Sequence, residues 1–460
     1  MTTRTSLVAK PKQRRSLYLG ERGKLLLGYT AIMLIPFLAT YALDMQLKTT
    51  YAFALSAMNT LAMMMFYLQF PLGSRLKKIA WFANIDWNMT HHKKVGQWLG
   101  LIFFLHPILI LAPRFSMSWG DGITSVITTV TASNMLIGVI AWVSMVVWIL
   151  LSIFKQRLPI RYETWRLTHM MGFVTIIVLA TVHITNIGQH GQYAPWFNVI
   201  WWGLCSFSVM MVLFNYFVKP ILLKRQPFEL TEVTQVSSRD WQVTLKTNND
   251  AFDFEPGQFV WFNTTAPGGL KNAAKEHPFS IASSRSSLPN LSFLIRNLGD
   301  YTSQLGTLKI GQNVYVDGPY GSMSLHDSAK AKAILLIAGG AGIGPMLSLL
   351  RGLADQNDTR PIRLIYGNNQ LDQMVLQEDI LQLETTMANF KQQLVSLDKG
   401  KNAYQGVIDQ TIISRLIEPH PTADWSVYLC GPQPMVEGVQ GSLKKLSIAN
   451  RHIHFEHLSF

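Results

Sequence analysis

Charge is scarce in this chain of 460 residues: Asp, Glu, Lys and Arg make up 15% of it, while apolar residues make up 48%. That balance excludes an ordinary soluble globular protein. Acidic residues are scarcest in the first half. Met1 to Val218 holds 18 Lys/Arg against five Asp/Glu, whereas Lys219 to Phe460 holds 22 of each. The whole formal charge of +13 therefore sits in the apolar half. There it is a membrane-topology charge, and nucleic acid is excluded as a partner. Cysteine is limited to Cys205 and Cys430, the first in an expected membrane helix and the second in an expected cytosolic loop, so no disulfide is expected. The sequence has no internal repeat, no low-complexity tract and no Asp-x-Asp-x-Asp-Gly loop, which excludes calcium control through such a motif. A cleavable signal is not expected either. The basic tail before Leu25 runs into a full-length apolar span without a small-residue cleavage site.

What is present is hydrophobic length. A basic tail (residues 1–24) precedes six apolar spans near 25–43, 51–70, 95–112, 134–154, 167–187 and 196–218. Loops 71–94 and 155–166 are rich in Lys and Arg, whereas the opposite loops hold only Lys48 and Arg114. The positive-inside rule then places both termini in the cytoplasm. The expected localisation is a bacterial inner membrane, with the lipid bilayer as a partner.

Two of these spans carry paired histidines. His92 and His106 are 14 residues apart, as are His169 and His183. On a helix, 14 residues turn through about 1400° and rise about 21 Å, so each pair lies near one face with one ring toward each end of a bilayer-length span. Spans three and five run in the same direction. His92 is therefore level with His169 near the cytoplasmic side, and His106 with His183 near the outer side. Intramembrane histidines are costly and mark function, and two matched pairs predict two bis-histidine b-type haems stacked across the membrane. The alternative is helix packing through satisfied polar side chains. His91 is out of phase with His106 and is expected at the interface. Arg166, one turn before His169, and Arg114, beyond His106, are candidates for haem propionates, against simple snorkelling to the interface.

After Lys219 the pattern changes to short β-rich runs with Gly and Pro turns, which predict a small antiparallel β-barrel over 219–325. From 326 to 460 strands alternate with helices, as in a parallel-sheet α/β domain. Within it, Lys332–Ala338 reads as a buried strand, Gly339-Gly-Ala-Gly-Ile-Gly-Pro345 as a glycine loop, and Met346–Leu353 as a helix. A strand, glycine loop and helix start form a phosphate cradle, with Pro345 suited to the first helical turn. Cys430, before Gly431 and Pro432 at the end of a later strand, places a thiol near a nicotinamide; the alternative is a small buried residue.

In their order along the chain these motifs resemble the ferric reductase / NADPH oxidase superfamily, in its bacterial branch, over nearly the whole length. The resemblance implies a six-helix transmembrane two-haem domain (25–218), an FAD-binding barrel and an NAD(P)H-binding α/β domain. His277-Pro-Phe-Ser280 matches the family's flavin signature: Ser280 would lie near flavin N5, and His277, Pro278 and Phe279 would line the flavin. Gly299-Asp-Tyr-Thr302 matches the flavin-pyrophosphate motif and assigns Gly299, Tyr301 and Thr302 to it, with Arg296 a candidate for the same charge. Gly339, Gly340, Gly342, Gly344, Pro345, Cys430, Gly431 and Pro432 match the nicotinamide signatures, and Phe460 would cover the flavin ring. Ser280, Cys430 and Phe460 are the residues expected closest to the chemistry. Where several relatives carry an Arg for a 2′-phosphate, this chain has Asn368 and Asn369, leaving Lys399 or Lys401 to serve NADPH from a distance. The implied function is electron transfer from cytosolic NAD(P)H through FAD and the haems to an extracytoplasmic small molecule, O2 or a ferric chelate. The alternatives are a haem-free, membrane-anchored flavin reductase and an electron donor to a separate periplasmic protein.

Overall fold

Long runs of Leu, Ile, Val, Met and Phe form helices in the first half, because a helix satisfies its backbone groups internally where water is absent. The computed structural model describes residues 17–42, 49–75, 85–187, 195–267, 270, 272, 274–398, 400, 403–418 and 420–455. The helices are α1 (Leu17–Ala42), α2 (Thr50–Leu72), α3 (Ile85–Met117), α4 (Trp119–Thr131), α5 (Leu136–Ile153), α6 (Tyr162–Ile187) and α7 (Pro195–Leu213), which a π-turn (Phe214–Val218) joins to α8 (Lys219–Lys224). Among the described residues, five helical stretches are long and apolar enough to cross a membrane: Thr50–Leu72, Trp87–Met117, Leu136–Ile153, Tyr162–Asn186 and Trp196–Lys224. The apolar part of α1, Leu26–Ala42, is shorter than these. Helix α4 stands where a loop was expected. Ser118 caps it by accepting from the Asp121 amide, and Trp119, Ile123, Ile127 and Val130 stay exposed.

Three prolines interrupt the hydrogen-bond ladders of α2 and α3, and a neighbouring side chain repairs each break. A helical proline has no N–H for the carbonyl four residues back. Pro107 leaves the Phe103 carbonyl, which accepts from Trp142 Nε1 on α5 at 2.9 Å. Pro113 leaves Leu109, which accepts from Tyr51 Oη on α2 at 2.5 Å. Pro71 leaves Tyr67, whose carbonyl lies 3.4 Å from Ser208 Oγ on α7; that hydroxyl's single proton is shared with the nearer Leu204 carbonyl at 2.9 Å, so this repair is partial.

The second half begins with an antiparallel sheet of β1 (Phe228–Gln235), β2 (Asp240–Thr247), β3 (Phe259–Asn263), β4 (His277–Ser280), β5 (Asn290–Arg296) and β6 (Asn313–Tyr320), in the order β4-β3-β6-β1-β2-β5. Its outer strands approach each other just after β4, where Ile281 bridges Phe293 and the Ala282 amide donates to the Ser292 carbonyl at 2.8 Å. The inward residues Leu230, Val243, Leu245, Phe262, Leu291, Phe293 and Val314 form its core. A parallel sheet follows, ordered β10-β9-β8-β7-β11-β12, with β7 (Ala333–Gly339) and β11 (Trp425–Cys430) buried along their whole length, as strands covered on both faces are. The chain runs outward from β7 through β8 (Ile362–Asn368), β9 (Phe390–Ser396) and β10 (Ala403–Gln405), then returns to the other side of β7 as β11, with β12 (Ile453–Phe455) beyond it. The carboxyl ends of β7 and β11 are therefore a topological switch point, where ligands of such sheets bind.

Candidate functional site

The four membrane histidines face one another as two pairs. The rings of His92 on α3 and His169 on α6 lie 6.2 Å apart at 69°. His106 and His183 are close enough to interact electrostatically. In three of the four, the polar surroundings fix which nitrogen carries the proton. His92 Nδ1 lies 3.3 Å from the Gln69 carbonyl, which can only accept. This carbonyl sits in the last turn of α2, where it also accepts from the Gly73 amide at 2.9 Å, and its second lone pair is open to the ring. His106 Nδ1 lies 3.0 Å from Asn59 Oδ1. His169 Nδ1 lies 3.0 Å from Ser152 Oγ, whose own proton goes to the Trp148 carbonyl at 2.7 Å, so the histidine is the donor. With Nδ1–H committed, each ring keeps a neutral Nε2 lone pair, the state in which imidazole binds a metal. His183 Nδ1 is buried without a hydrogen-bond partner, and a side chain at Gly138 would collide with its ring. His91 turns away and stacks on Trp87 at 3.7 Å, with Nδ1 held by the Trp87 carbonyl at 2.7 Å. Among the described residues no group of three or more His, Cys, Asp or Glu side chains forms a metal cage. Each histidine pair brings together two side chains, fewer than such a cage needs.

The His277–Ser280 strand stands directly below the helix that carries His169. The His277 ring stacks on Tyr301 at 4.0 Å, and its Nε2 lies 3.2 Å from Glu163 in the first turn of α6. Burial pulls the imidazole pKa below its ordinary value, against the pull of Glu163. Tyr301 Oη donates to the Phe262 carbonyl and accepts from the Thr264 amide, and burial pushes its phenol pKa up. Ser280 Oγ is buried and has no hydrogen-bond partner among the described residues, a polar atom that an isoalloxazine edge would satisfy. Phe279 lies against Phe262, and Pro278 pairs with Trp261 across the β3–β4 ladder. Thr302 closes its own turn, with Oγ1 accepting from the Leu298 and Gly299 amides at 2.9 and 3.1 Å.

Arg296 is held differently from expectation. Its Nε donates to Asp240 at 3.0 Å, and its guanidinium lies against Gly340 of the nucleotide loop. Arg166 is likewise engaged: it pairs with Glu276 at 3.4 Å and reaches the Ala274 carbonyl, outside the flavin signature. Arg114 is exposed in the last turn of α3.

At the switch point the two nucleotide loops meet backbone to backbone. A side chain on Gly342 would strike the Cys430 carbonyl, and one on Gly431 would lie 3.2 Å from Gly339 Cα. Gly340 is left-handed at φ +54, a conformation glycine adopts without strain. Gly344 and Pro345 are buried in the first turn of the helix Ile343–Asp355, one turn earlier than the sequence predicted. The Cys430 side chain is 2% exposed and packs with Leu294, Ile343 and Tyr428; Gly431 and Pro432 lead into the helix Gln433–Lys445. Asn368 Nδ2 is committed to the Gln373 carbonyl at 2.7 Å. Phe460, Lys399 and Lys401 lie outside the described residues.

Sequence reasoning missed Asn59, Gln69 and Ser152, the partners of the membrane histidines. Asn59 left a signal, as an amide inside an apolar span.

Three family models match the chain: "Ferric reductase like transmembrane component" over residues 58–180, "FAD-binding domain" over 226–324 and "Oxidoreductase NAD-binding domain" over 336–441. Among curated proteins it is 30% identical over 213 residues to the reductase component of propane 2-monooxygenase from Mycolicibacterium goodii, covering 45% of this chain and 59% of that protein. It is 30% identical over 235 residues to the electron transfer component of 2-halobenzoate 1,2-dioxygenase from Burkholderia cepacia, covering 50% and 66%. It is 26% identical over 231 residues to NADH-cytochrome b5 reductase 1 from Aspergillus oryzae, covering 48% and 78%. The chain thus spans 59% and 66% of the length of the first two relatives, less than two thirds of either.

Proposed function

We propose, for an oxidoreductase with this ferric reductase/NADPH oxidase-like architecture, a route that carries electrons from cytosolic NAD(P)H through FAD and two stacked b-type haems to an extracytoplasmic acceptor, O2 or a ferric chelate. The reading assigns residues 1–24 to a cytoplasmic tail, 25–218 to a six-helix two-haem bundle, 219–325 to an FAD barrel and 326–460 to the nucleotide domain, in a bacterial inner membrane with both termini inside. When bound, FAD supplies the exchange between hydride and single electrons, and the haems supply one-electron carriers.

One observation carries the reading: His92, His106 and His169 each have Nδ1 tied to a neighbour on another helix, leaving Nε2 as a ligand. His92 and His169 would hold the inner haem, and His106 and His183 the outer. Ser280 Oγ would meet the flavin, His277, Pro278 and Phe279 would line it, and Gly299, Tyr301 and Thr302 would border its pyrophosphate. Gly339, Gly340, Gly342, Gly344 and Pro345, with Cys430, Gly431 and Pro432, would hold the dinucleotide at the switch point. Arg296, whose guanidinium lies against Gly340, would meet a pyrophosphate there. Phe460 would cover the flavin.

The relatives support a second reading, since two are the reductase or electron transfer component of an oxygenase. In it, the chain delivers electrons to a separate protein, and copurification tests it. The first experiment is the absorption spectrum of the purified full-length protein before and after NADPH under anaerobic conditions. A reduced b-type α band is expected. Flavin bleaching without any haem spectrum would leave a membrane-anchored flavin reductase instead. In air, dye reduction sensitive to superoxide dismutase marks O2 as acceptor, and its absence beside fast ferric-chelate reduction marks iron.

A further inference from the structure

Five charges are buried where the antiparallel sheet meets the membrane helices. Arg75, just beyond α2, pairs with Glu276 and, at 3.0 Å, with Asp317. Arg166 on α6 pairs with Glu276 at 3.4 Å. Lys219, at the start of α8, pairs with Asp317 at 2.6 Å and donates to Tyr320 Oη at 2.9 Å. Tyr320 Oη in turn donates to Asp317 at 2.7 Å. The side chains of Arg75, Glu276, Asp317 and Lys219 are 10% exposed or less. Trp261, which pairs with Asp317 in the β3–β6 ladder, lies under both the Arg75 and Arg166 guanidinium groups at 4.5 and 5.5 Å. Ile85 and Met89, at the start of α3, close the cluster with Phe259, Trp261 and Tyr320.

Three helices thus each send one cation to two carboxylates of the sheet. Burial raises the Asp317 pKa, but Lys219 and Arg75 outweigh it and hold the carboxyl below its usual range. Such buried ion pairs contribute little net stability compared with an apolar contact, and their best-attested use is to fix one register out of several. Register matters at this place. Glu276 adjoins His277, Arg166 is three residues before His169, and Ile85 lies two turns before His92.

We propose that Arg75, Arg166, Lys219, Glu276 and Asp317 form a clamp that sets the flavin-signature strand against the helices bearing His92 and His169. Glu276 and Asp317 are then positioning residues for electron passage between the domains, an inference that rests on the electron route proposed above. Among the described residues the ion pairs and hydrogen bonds of the two carboxylates go to Arg75, Arg166, Lys219 and Tyr320 and not to the loops after β7 and β11, so hydride delivery does not depend on them.

The test uses full-length protein in lipid nanodiscs, as wild type, Asp317→Asn, Glu276→Gln and the conservative Asp317→Glu. Anaerobic stopped-flow mixing with NADPH follows flavin bleaching and the reduced haem band together. In both amide variants, flavin bleaching stays within about twofold of wild type and haem content is unchanged, whereas haem reduction slows on the order of tenfold or more. Asp317→Glu recovers most of that rate. Hydrogen exchange in peptides 85–92 and 274–280 quickens in the amide variants, while 333–339 is unchanged. Wild-type haem reduction in both variants overturns the clamp, as does an equal slowing of flavin and haem with loss of FAD. If wild type holds no haem, the proposed route fails and the exchange data decide the clamp alone: unchanged exchange at both peptides overturns it. Should Asp317→Asn fail to fold, Lys219→Met, which removes one cation and leaves Arg75 to hold Asp317, slows haem reduction relative to flavin bleaching by a smaller factor, and a wild-type ratio there overturns the clamp.

Discussion

His106 and His454 are both half-buried rings, one in a membrane helix and one on the edge strand β12, and their nitrogens are used differently. His454 has Nε2 at 3.0 Å from Ser426 Oγ, Nδ1 at 3.8 Å from Asp327 and its face on Tyr428 at 4.9 Å. Both nitrogens face protein groups, so no lone pair remains for a metal. The set has the connectivity of a Ser-His-Asp triad, but Ser426 is 1% exposed within the sheet and out of reach of any substrate. His106 has only Nδ1 engaged, by Asn59. The number of occupied nitrogens, more than burial, separates a structural histidine from a ligand.

The sharpest way to break this contrast is to delete each ring. His106→Ala is expected to lose one of the two haems while His454→Ala keeps both, as read by the pyridine haemochrome assay. Equal haem content in all three proteins would end the distinction. A smaller effect comes from the partner. Asn59→Leu removes the acceptor that fixes the His106 tautomer and should weaken haem retention on the order of 10- to 100-fold. Asn59→Asp, which keeps an acceptor, should retain most of it, measured by haem transfer to an apo-globin acceptor. The smallest effect is on stability. Burial lowers the His454 pKa to about 4, from an ordinary value near 6.5. Below about 6.5 the unfolded ring binds a proton that the folded ring refuses, so its contribution is complete above that pH and disappears as the pH falls toward 4. Hydrogen-exchange protection of β11 and β12 should fall by on the order of 1–3 kcal/mol across that window. His454→Gln should flatten the dependence.

Local patterns in the chain predicted local features well. The 14-residue spacing placed four histidines on two facing helices, and the glycine loop fell at the carboxyl end of a buried strand as its composition required. Features that depend on distant residues were not legible. Arg166 reads as a propionate partner one turn from His169, yet its partner Glu276 lies 110 positions away. Arg296 reads as a flavin-phosphate candidate, and the Asp240 that holds it, 56 positions earlier, left no signal in the sequence. Helix α4 was missed because, at 13 residues, it is too short for a span. The partners of the histidine Nδ1 atoms come from other helices, which periodicity within one helix cannot reveal.

The proline repairs bear on how the protein is made. Synthesis runs from the N-terminus, so α3 emerges before α5. Until Trp142 arrives, the Phe103 carbonyl beside His106 has no donor in the bilayer, where an open backbone acceptor is costly. The later helix completes the earlier one, which makes the outer histidine site a late product of biogenesis. A chain interrupted before α5 would display the His106 side chain on a backbone still waiting for its partner.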